Sequence, residues 1–323
     1  RTEEFKSSPR LNHFITSTMS SSGIWTCVIC TFASNSAART ACEMCDSPNP
    51  NSKVESKSKL EEKKTPVGIE PSDDEILAQQ DRIAEEIAKS QPLLGKRQAL
   101  AVLEEEYKGN TKFLKKIQDL GGKYAEIRRI RGDGNCFYRA YLYGCLESIK
   151  DSETGIAQFA KHILARLQTC SLDQLEALGF PRVGIEDAHD NLVDILTWMK
   201  TETRTSDEIA MKFNEEGVDS YLVMYIRILT SAQLQSHAKQ YSPWLTGKVM
   251  SEFVKQEVEG MGKESDHVQC VALANEVGIP VRIEYVDPSE SAVTGHVFPD
   301  QKEPKMFLLY RPGHYDVLYR KSS

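Results

Sequence analysis

Gly132-Asp133-Gly134-Asn135-Cys136-Phe137-Tyr138-Arg139-Ala140 is a glycine turn that delivers a cysteine to the start of an apolar-periodic run. Beyond it, Tyr138, Tyr141, Leu142, Cys145, Leu146 and Ile149 recur at steps of three and four, the period of one buried helical face. Cys136 is therefore expected in a first helical turn. Backbone amides there lack intrahelical acceptors and the helix dipole is positive, so a thiolate is favoured over a thiol. Gly132 and Gly134 let the preceding loop adopt positive φ and bring its amides toward a bound carbonyl, as an oxyanion hole requires. Asn135 or Asp133 is placed to cap the helix. A buried structural cysteine after a polar turn has the same local signature, so a base must separate the two readings.

The informative histidine stands in Met306-Phe307-Leu308-Leu309-Tyr310-Arg311-Pro312-Gly313-His314-Tyr315-Asp316-Val317-Leu318-Tyr319. Two strands flanking Pro-Gly read as an antiparallel hairpin. Alternation puts His314, Asp316 and Leu318 on one face of the second strand and Tyr315, Val317 and Tyr319 on the other. Asp316 can then hold one imidazole nitrogen, fixing tautomer and orientation, while the other takes the proton of Cys136. His267 is the competing base; no carboxylate follows it two residues on, and Asp266 before it reads as a helix cap.

These two blocks resemble the signatures of the otubains, ubiquitin-specific cysteine proteases of the ovarian-tumour (OTU) family. Ala78-Gln79-Gln80-Asp81-Arg82-Ile83, Ser220-Tyr221-Leu222-Val223, Arg227-Ile228-Leu229-Thr230-Ser231 and Lys263-Glu264-Ser265-Asp266-His267 are similar too, so the likeness runs from about residue 75 onward. It implies a papain-like α/β fold, of the α+β kind. It also implies Cys136 as nucleophile, His314 as general base, Asp316 as orienting carboxylate and the loop from Asp133 to Cys136 as oxyanion hole, with no metal in the chemistry. Ubiquitin and polyubiquitin chains become the expected partners, with preference for the linkage that marks proteins for proteasomal degradation. A second role is implied by otubain-like proteins that bind ubiquitin-conjugating enzymes and inhibit them without cleavage.

Upstream, Cys27, Cys30, Cys42 and Cys45 form two C-x2-C pairs, a tetrahedral thiolate set that closes a structural zinc site. So short a segment cannot bury enough apolar surface to fold unaided, and zinc would supply about 10–16 kcal/mol. A disulfide pair is the alternative. With Trp25 two residues before the first cysteine and Asn35 in the loop, the segment resembles the NZF zinc fingers, small ribbon-like modules. Its loop between Cys30 and Cys42 holds eleven residues, one more than usual. Ubiquitin-binding fingers of this type are similar in carrying Thr31-Phe32 after the second cysteine and an apolar residue, here Met44, before the last. Single-stranded RNA binders need guanidinium groups beside a stacking aromatic, and the loop offers only Arg39.

The chain has 323 residues, 40% of them hydrophobic, enough for one packed core of domain size plus the finger. A net charge of −7 argues against a nucleic-acid-binding body, and no apolar run is long enough to span a membrane. A monomeric cytoplasmic or nuclear protein is expected. Residues 1–18 lack periodicity and read as a disordered tail or an artefact ahead of Met19. The finger occupies 19–50, a linker rich in Ser, Lys and Glu occupies 51–73, and the catalytic domain 74–323. Ile76, Leu77, Ile83 and Ile87, then Leu100, Leu103 and Tyr107, mark helices. So do Phe159, Ile163, Leu164 and Leu167; Ile185, Leu192, Ile195, Leu196 and Met199; and Met250, Phe253, Val254 and Val258. Val281 to Tyr285 alternates as a half-buried strand. Cys145, Cys170 and Cys270 read as buried inert thiols.

Overall fold

The computed structural model describes residues 88–169, 181–245, 247–289 and 292–321, with the backbone alone for 163–169, and besides these only 24–25, 35–36, 82 and 176. Ile24–Trp25 and Asn35–Ser36 pair antiparallel. The four finger cysteines, Thr31, Phe32, Met44, Arg39 and the apolar positions from Ile76 to Ile87 lie outside the described residues, as does Cys170.

Six strands form one sheet: β1 Leu94–Ala99, β2 Tyr124–Ile130, β3 Val281–Tyr285, β4 Thr294–Phe298, β5 Met306–Arg311 and β6 His314–Arg320. Their order is β1-β2-β6-β5-β3-β4, and every neighbouring pair is antiparallel except β3 with β5. The helices are α1 Val102–Glu106, α2 Thr111–Gly121, α3 Cys136–Ile149, α4 Glu153–Thr169, α5 Arg182–Thr201, α6 Ser206–Phe213, α7 Val218–Ser236, α8 Ala238–Tyr241, α9 Met250–Phe253 and α10 His267–Val277. A π-helical turn, Val254–Val258, continues α9.

The sheet has a core on each face. Tyr315 and Val317 of β6 point into the larger one with α3, α5, α6, α7 and α10; Leu318 points the other way, to Ile127, Leu309 and the apolar faces of α1 and α2. That alternation matches the strand reading of this segment. Ile185, Leu192, Ile195, Leu196 and Met199 are all buried along α5, as their spacing predicts.

Three expectations change. The helix opening at Cys136 does not bury one face: every residue from Cys136 to Leu146 is buried, because α3 runs through the core with helices around it and the sheet beneath. The helix expected through Leu100, Leu103 and Tyr107 is confined to α1, with Leu100 and Tyr107 just outside it, and it follows β1, an edge strand whose Gly95, Lys96, Arg97 and Gln98 carry no strand periodicity. Finally, the sheet is not built from the Val281 strand and the hairpin alone, since β1 and β2 stand ahead of α3 and β2 pairs with β6.

Candidate functional site

β6 lies beside β2, and the chain leaving β2 at Ile130 turns through Arg131 to Asn135 into α3. The first residue of β6 is His314; the first residue of α3 is Cys136. Strand pairing therefore brings the two signature blocks together.

Asp316 is fully buried at this junction. Its Oδ1 accepts the Ile130 amide at 2.9 Å and meets His314 Nε2 at 3.0 Å, while Arg311 donates to Oδ2 at 2.5 Å and Arg129 stands 3.8 Å away. Burial would raise the pKa of this carboxyl, but the charges of His314 and Arg311 hold it well below the usual carboxylate range. The remaining ring nitrogen of His314, Nδ1, is buried and bonds to no described nitrogen or oxygen. It is left to Cys136, whose sulfur, beside Asp316, helps raise the pKa of the ring. Burial alone would lower the His314 pKa, yet Asp316 and Cys136 together raise it to about 9. The imidazolium is thus the stable form at neutral pH when its sulfur neighbour is anionic.

The hairpin turn is the expected one. Arg311 pairs with His314 across a two-residue Pro312-Gly313 link, with Gly313 at φ +73°. Glu264 lies against this turn, its carboxyl oxygens 3.2 Å from where a Gly313 Cβ would stand. Burial and the charge of Asp266 raise its pKa, against the pull of His314.

The loop before Cys136 is held from two sides. Arg139, fully buried on α3, donates to both oxygens of Asp133 at 3.0 and 2.8 Å and to both of Asp219 on α7 at 2.7 and 2.8 Å. From the other side, Arg227 on α7 donates to the Gly134 carbonyl, the Asn135 side chain and the carbonyls of Val258 and Lys263. Asn135 Oδ1 also accepts the Gly262 amide at 2.9 Å. Asn135 occupies the N-cap position of α3 without a capping side-chain bond, because Arg227 and Gly262 already hold its oxygen. Asp133 does not cap α3 either; its Oδ1 accepts the Asn135 amide at 3.0 Å.

Of the two glycines before Cys136, only Gly134 has positive φ, at +75°, and an added Cβ there would stand 2.0 Å from the Gly262 carbonyl oxygen. The Asp133 amide donates to Arg131 O at 3.2 Å and that of Asn135 to Asp133, leaving the Gly134 and Cys136 amides without a described acceptor. Those two are available to a ligand oxygen.

Other predicted positions fall elsewhere. His267 opens α10, with its ring 5.0 Å from Phe298 and 6.0 Å from Trp244, and Asp266 forms the capping box with Gln269. Cys145 and Cys270 are fully buried, and burial pushes both thiols far up. Beside the site, Trp244, Leu245, Phe253, His267 and Val268 line a groove of about 390 Å³, with Trp244 half exposed.

Arg139, Asp219, Arg227, Arg311 and Gly262 had no assigned role in the sequence. A signal exists for Arg227: a lone charge in Tyr225-Ile226-Arg227-Ile228-Leu229 must find buried acceptors. Asp219, Arg311 and Gly262 carry no comparable local mark.

The otubain peptidase C65 family model matches residues 86–320, and a zinc-finger model of Ran-binding and other proteins matches 21–51. The human ubiquitin thioesterase OTUB1 is 42% identical over 251 residues, covering 77% of this chain and 90% of that protein. An otubain-like ubiquitin thioesterase of Caenorhabditis elegans is 34% identical over 262 residues, covering 78% of this chain and 90% of its own. Among solved structures, the h/ceOTUB1 complex with ubiquitin aldehyde and UBC13~Ub superposes with a TM-score of 0.71 at 36% identity, over 77% of this chain and 99% of that one. A matching complex contains UBCH5B~Ub in place of UBC13~Ub, again at a TM-score of 0.71. With its nucleophile loop, hairpin and mixed sheet arranged as described, the chain belongs to the otubain family of C65 peptidases.

Proposed function

We propose that this protein is a deubiquitinase that hydrolyses the isopeptide bond between a ubiquitin C-terminus and a lysine amine. The observation that carries this is the buried His314, held by Asp316 through Nε2 and left with Nδ1 for Cys136. Cys136 attacks the carbonyl as the thiolate, and the Gly134 and Cys136 amides of the loop begun by Asp133 receive the oxyanion. The His314 imidazolium gives its proton to the leaving amine as the C–N bond breaks, leaving a thioester. A water molecule then attacks, neutral His314 taking its proton, and the Cys136 thiolate departs. The groove lined by Trp244 and His267, with Lys248, Glu257 and Asp266 on its polar side, is the surface on which we seat the ubiquitin whose C-terminus is cut.

We divide the chain into the finger at 19–50, the linker at 51–73 and the catalytic domain from 74 to 323. The thiolates of Cys27, Cys30, Cys42 and Cys45 fit one structural Zn2+ by number and chemistry, and the zinc-finger match over 21–51 supports this. Thr31, Phe32 and Met44 would bind a further ubiquitin, and the linker raises its effective concentration near Cys136. The preferred linkage on this reading is the proteasome-targeting one. No described helix is long and apolar enough to cross a membrane, and we place the protein in the cytoplasm or nucleus. Because the OTUB1 complexes contain conjugating enzymes, a second role in binding a charged conjugating enzyme is favoured alongside cleavage.

The test is a panel of purified di-ubiquitins of every linkage, cut by the intact chain, by residues 70–323 and by Cys136→Ala. One linkage cleaved, with Cys136→Ala silent, is expected. Binding without cleavage by the intact chain would sink the protease reading and leave the conjugating-enzyme role.

A further inference from the structure

Arg227 is fully buried on α7, and its guanidinium meets only neutral acceptors: three backbone carbonyls, of Gly134, Val258 and Lys263, and the Asn135 amide oxygen. The other buried arginines differ. Arg128 pairs with Asp207, Arg139 with Asp219, Arg204 with Glu202 and Arg311 with Asp316. No described carboxylate forms an ion pair with Arg227. A buried cation without a counter-charge is costly, so its retention calls for an anion that this resting arrangement does not supply from a carboxylate.

We propose that Arg227 is the positioning residue of the nucleophile loop and the fixed counter-charge of the site, holding the Gly134–Asn135 segment while stabilising negative charge on Cys136 and on the oxyanion.

The geometry supports both halves. By accepting from Arg227 at 3.0 Å, the Gly134 carbonyl fixes the plane of the peptide that leads into Cys136. By holding Lys263 O at 2.7 Å and Val258 O at 2.8 Å, the same group keeps the 258–263 segment against the loop, where Gly262 backs Gly134. The guanidinium lies over the Tyr138 ring, 4.2 Å from its centroid, two residues along α3 from Cys136. The charged and titratable groups facing it are Tyr138, Cys136, Asp133 and Arg139, and burial is what chiefly lowers its pKa. Arg139 is divided between Asp133 and Asp219, so Asp133 supplies part of the counter-charge of Arg227, and a thiolate on Cys136 supplies the rest.

The inference rests on Cys136 being the nucleophile, so the test includes a readout that needs no ubiquitin. Three full-length variants, Arg227→Gln, Arg227→Lys and Asn135→Ala, are compared with the parent. The rate of iodoacetamide alkylation, mapped by mass spectrometry to the Cys136 peptide, is followed against pH, together with kcat and KM on di-ubiquitin and the melting temperature. Arg227→Gln is expected to raise the alkylation midpoint by about one pH unit. It should also lower kcat about tenfold or more with little change in KM. Arg227→Lys should keep the parent midpoint but lose kcat, since one ammonium cannot hold four acceptors. Asn135→Ala should do the same. A folded Arg227→Gln with the parent midpoint overturns the counter-charge, and unchanged kcat in all three overturns the positioning role. Should Arg227→Gln fail to fold, Arg227→Lys decides: a raised midpoint or an unchanged kcat overturns the proposal. If the parent cleaves no ubiquitin chain, the alkylation profiles still read Arg227, and only the function is at fault.

Discussion

At the scale of single residues, the site is a chain of charges: Arg311 on Asp316, Asp316 on His314, His314 on Cys136. Replacing Asp316 by Asn removes the charge that keeps His314 protonated and leaves Arg311 buried without its partner. Hydrolysis of a fluorogenic ubiquitin substrate should fall about 100-fold or more, and stability by about 3–5 kcal/mol in chemical denaturation. A folded variant with parental rates would contradict the assigned role. The raised pKa also sets the alkaline limb. With His314 at about 9, its imidazolium is fully present below the ordinary histidine value and is lost as pH rises through 9, so kcat/KM should fall on that side. The stability from this pair fades over the same window, whereas the depressed Asp316 contributes stability that disappears only in acid, below the ordinary carboxylate range. Melting temperatures between about pH 2 and pH 10 test both limbs. Cys136, His314 and Asp316 were legible because each sits in a short local pattern, helix start or strand alternation. Arg139 and Arg227 were not, because their partners Asp219, Val258 and Lys263 are distant in sequence and no local period records them.

Elements tell the same story with a different reason for failure. The β5–β6 hairpin was readable from alternation and its Pro-Gly turn, and α5 from its apolar spacing. By contrast, α3 is buried on every side, so its true environment exceeds the single face that periodicity suggests, and β1 gains its strand state from pairing with β2 rather than from its own residues. A prediction belongs to the loop between β2 and α3. Gly134→Ala must both adopt φ +75° and displace the Gly262 carbonyl, whereas Gly262→Ala meets the same φ cost with its nearest neighbour, Asp133 O, at 3.6 Å. The backbone strain is about 1–3 kcal/mol for each. Gly134→Ala should therefore lose much more activity than Gly262→Ala, and equal losses in a side-by-side assay would show that the close approach does not matter.

For the whole molecule, the expectation concerns the two modules. Chelating zinc or deleting residues 1–69 should raise the KM for long polyubiquitin chains while leaving the cleavage rate of a single-ubiquitin fluorogenic substrate unchanged, because the finger would act through local concentration and not through Cys136. If both substrates suffer equally, the finger is part of the catalytic fold. The spacing of four cysteines made this module legible from sequence alone, as metal ligation demands little else. Its relation to ubiquitin depends on surface shape, which spacing does not encode.

The strand that bears His314 and Asp316 is made after every other strand of this sheet, yet it is seated between β2 and β5 in the middle of the sheet. On the ribosome, then, Cys136 emerges long before His314, and the central slot of the sheet waits open until β6 arrives to fill it. A half-finished chain carries the cysteine but not the protease.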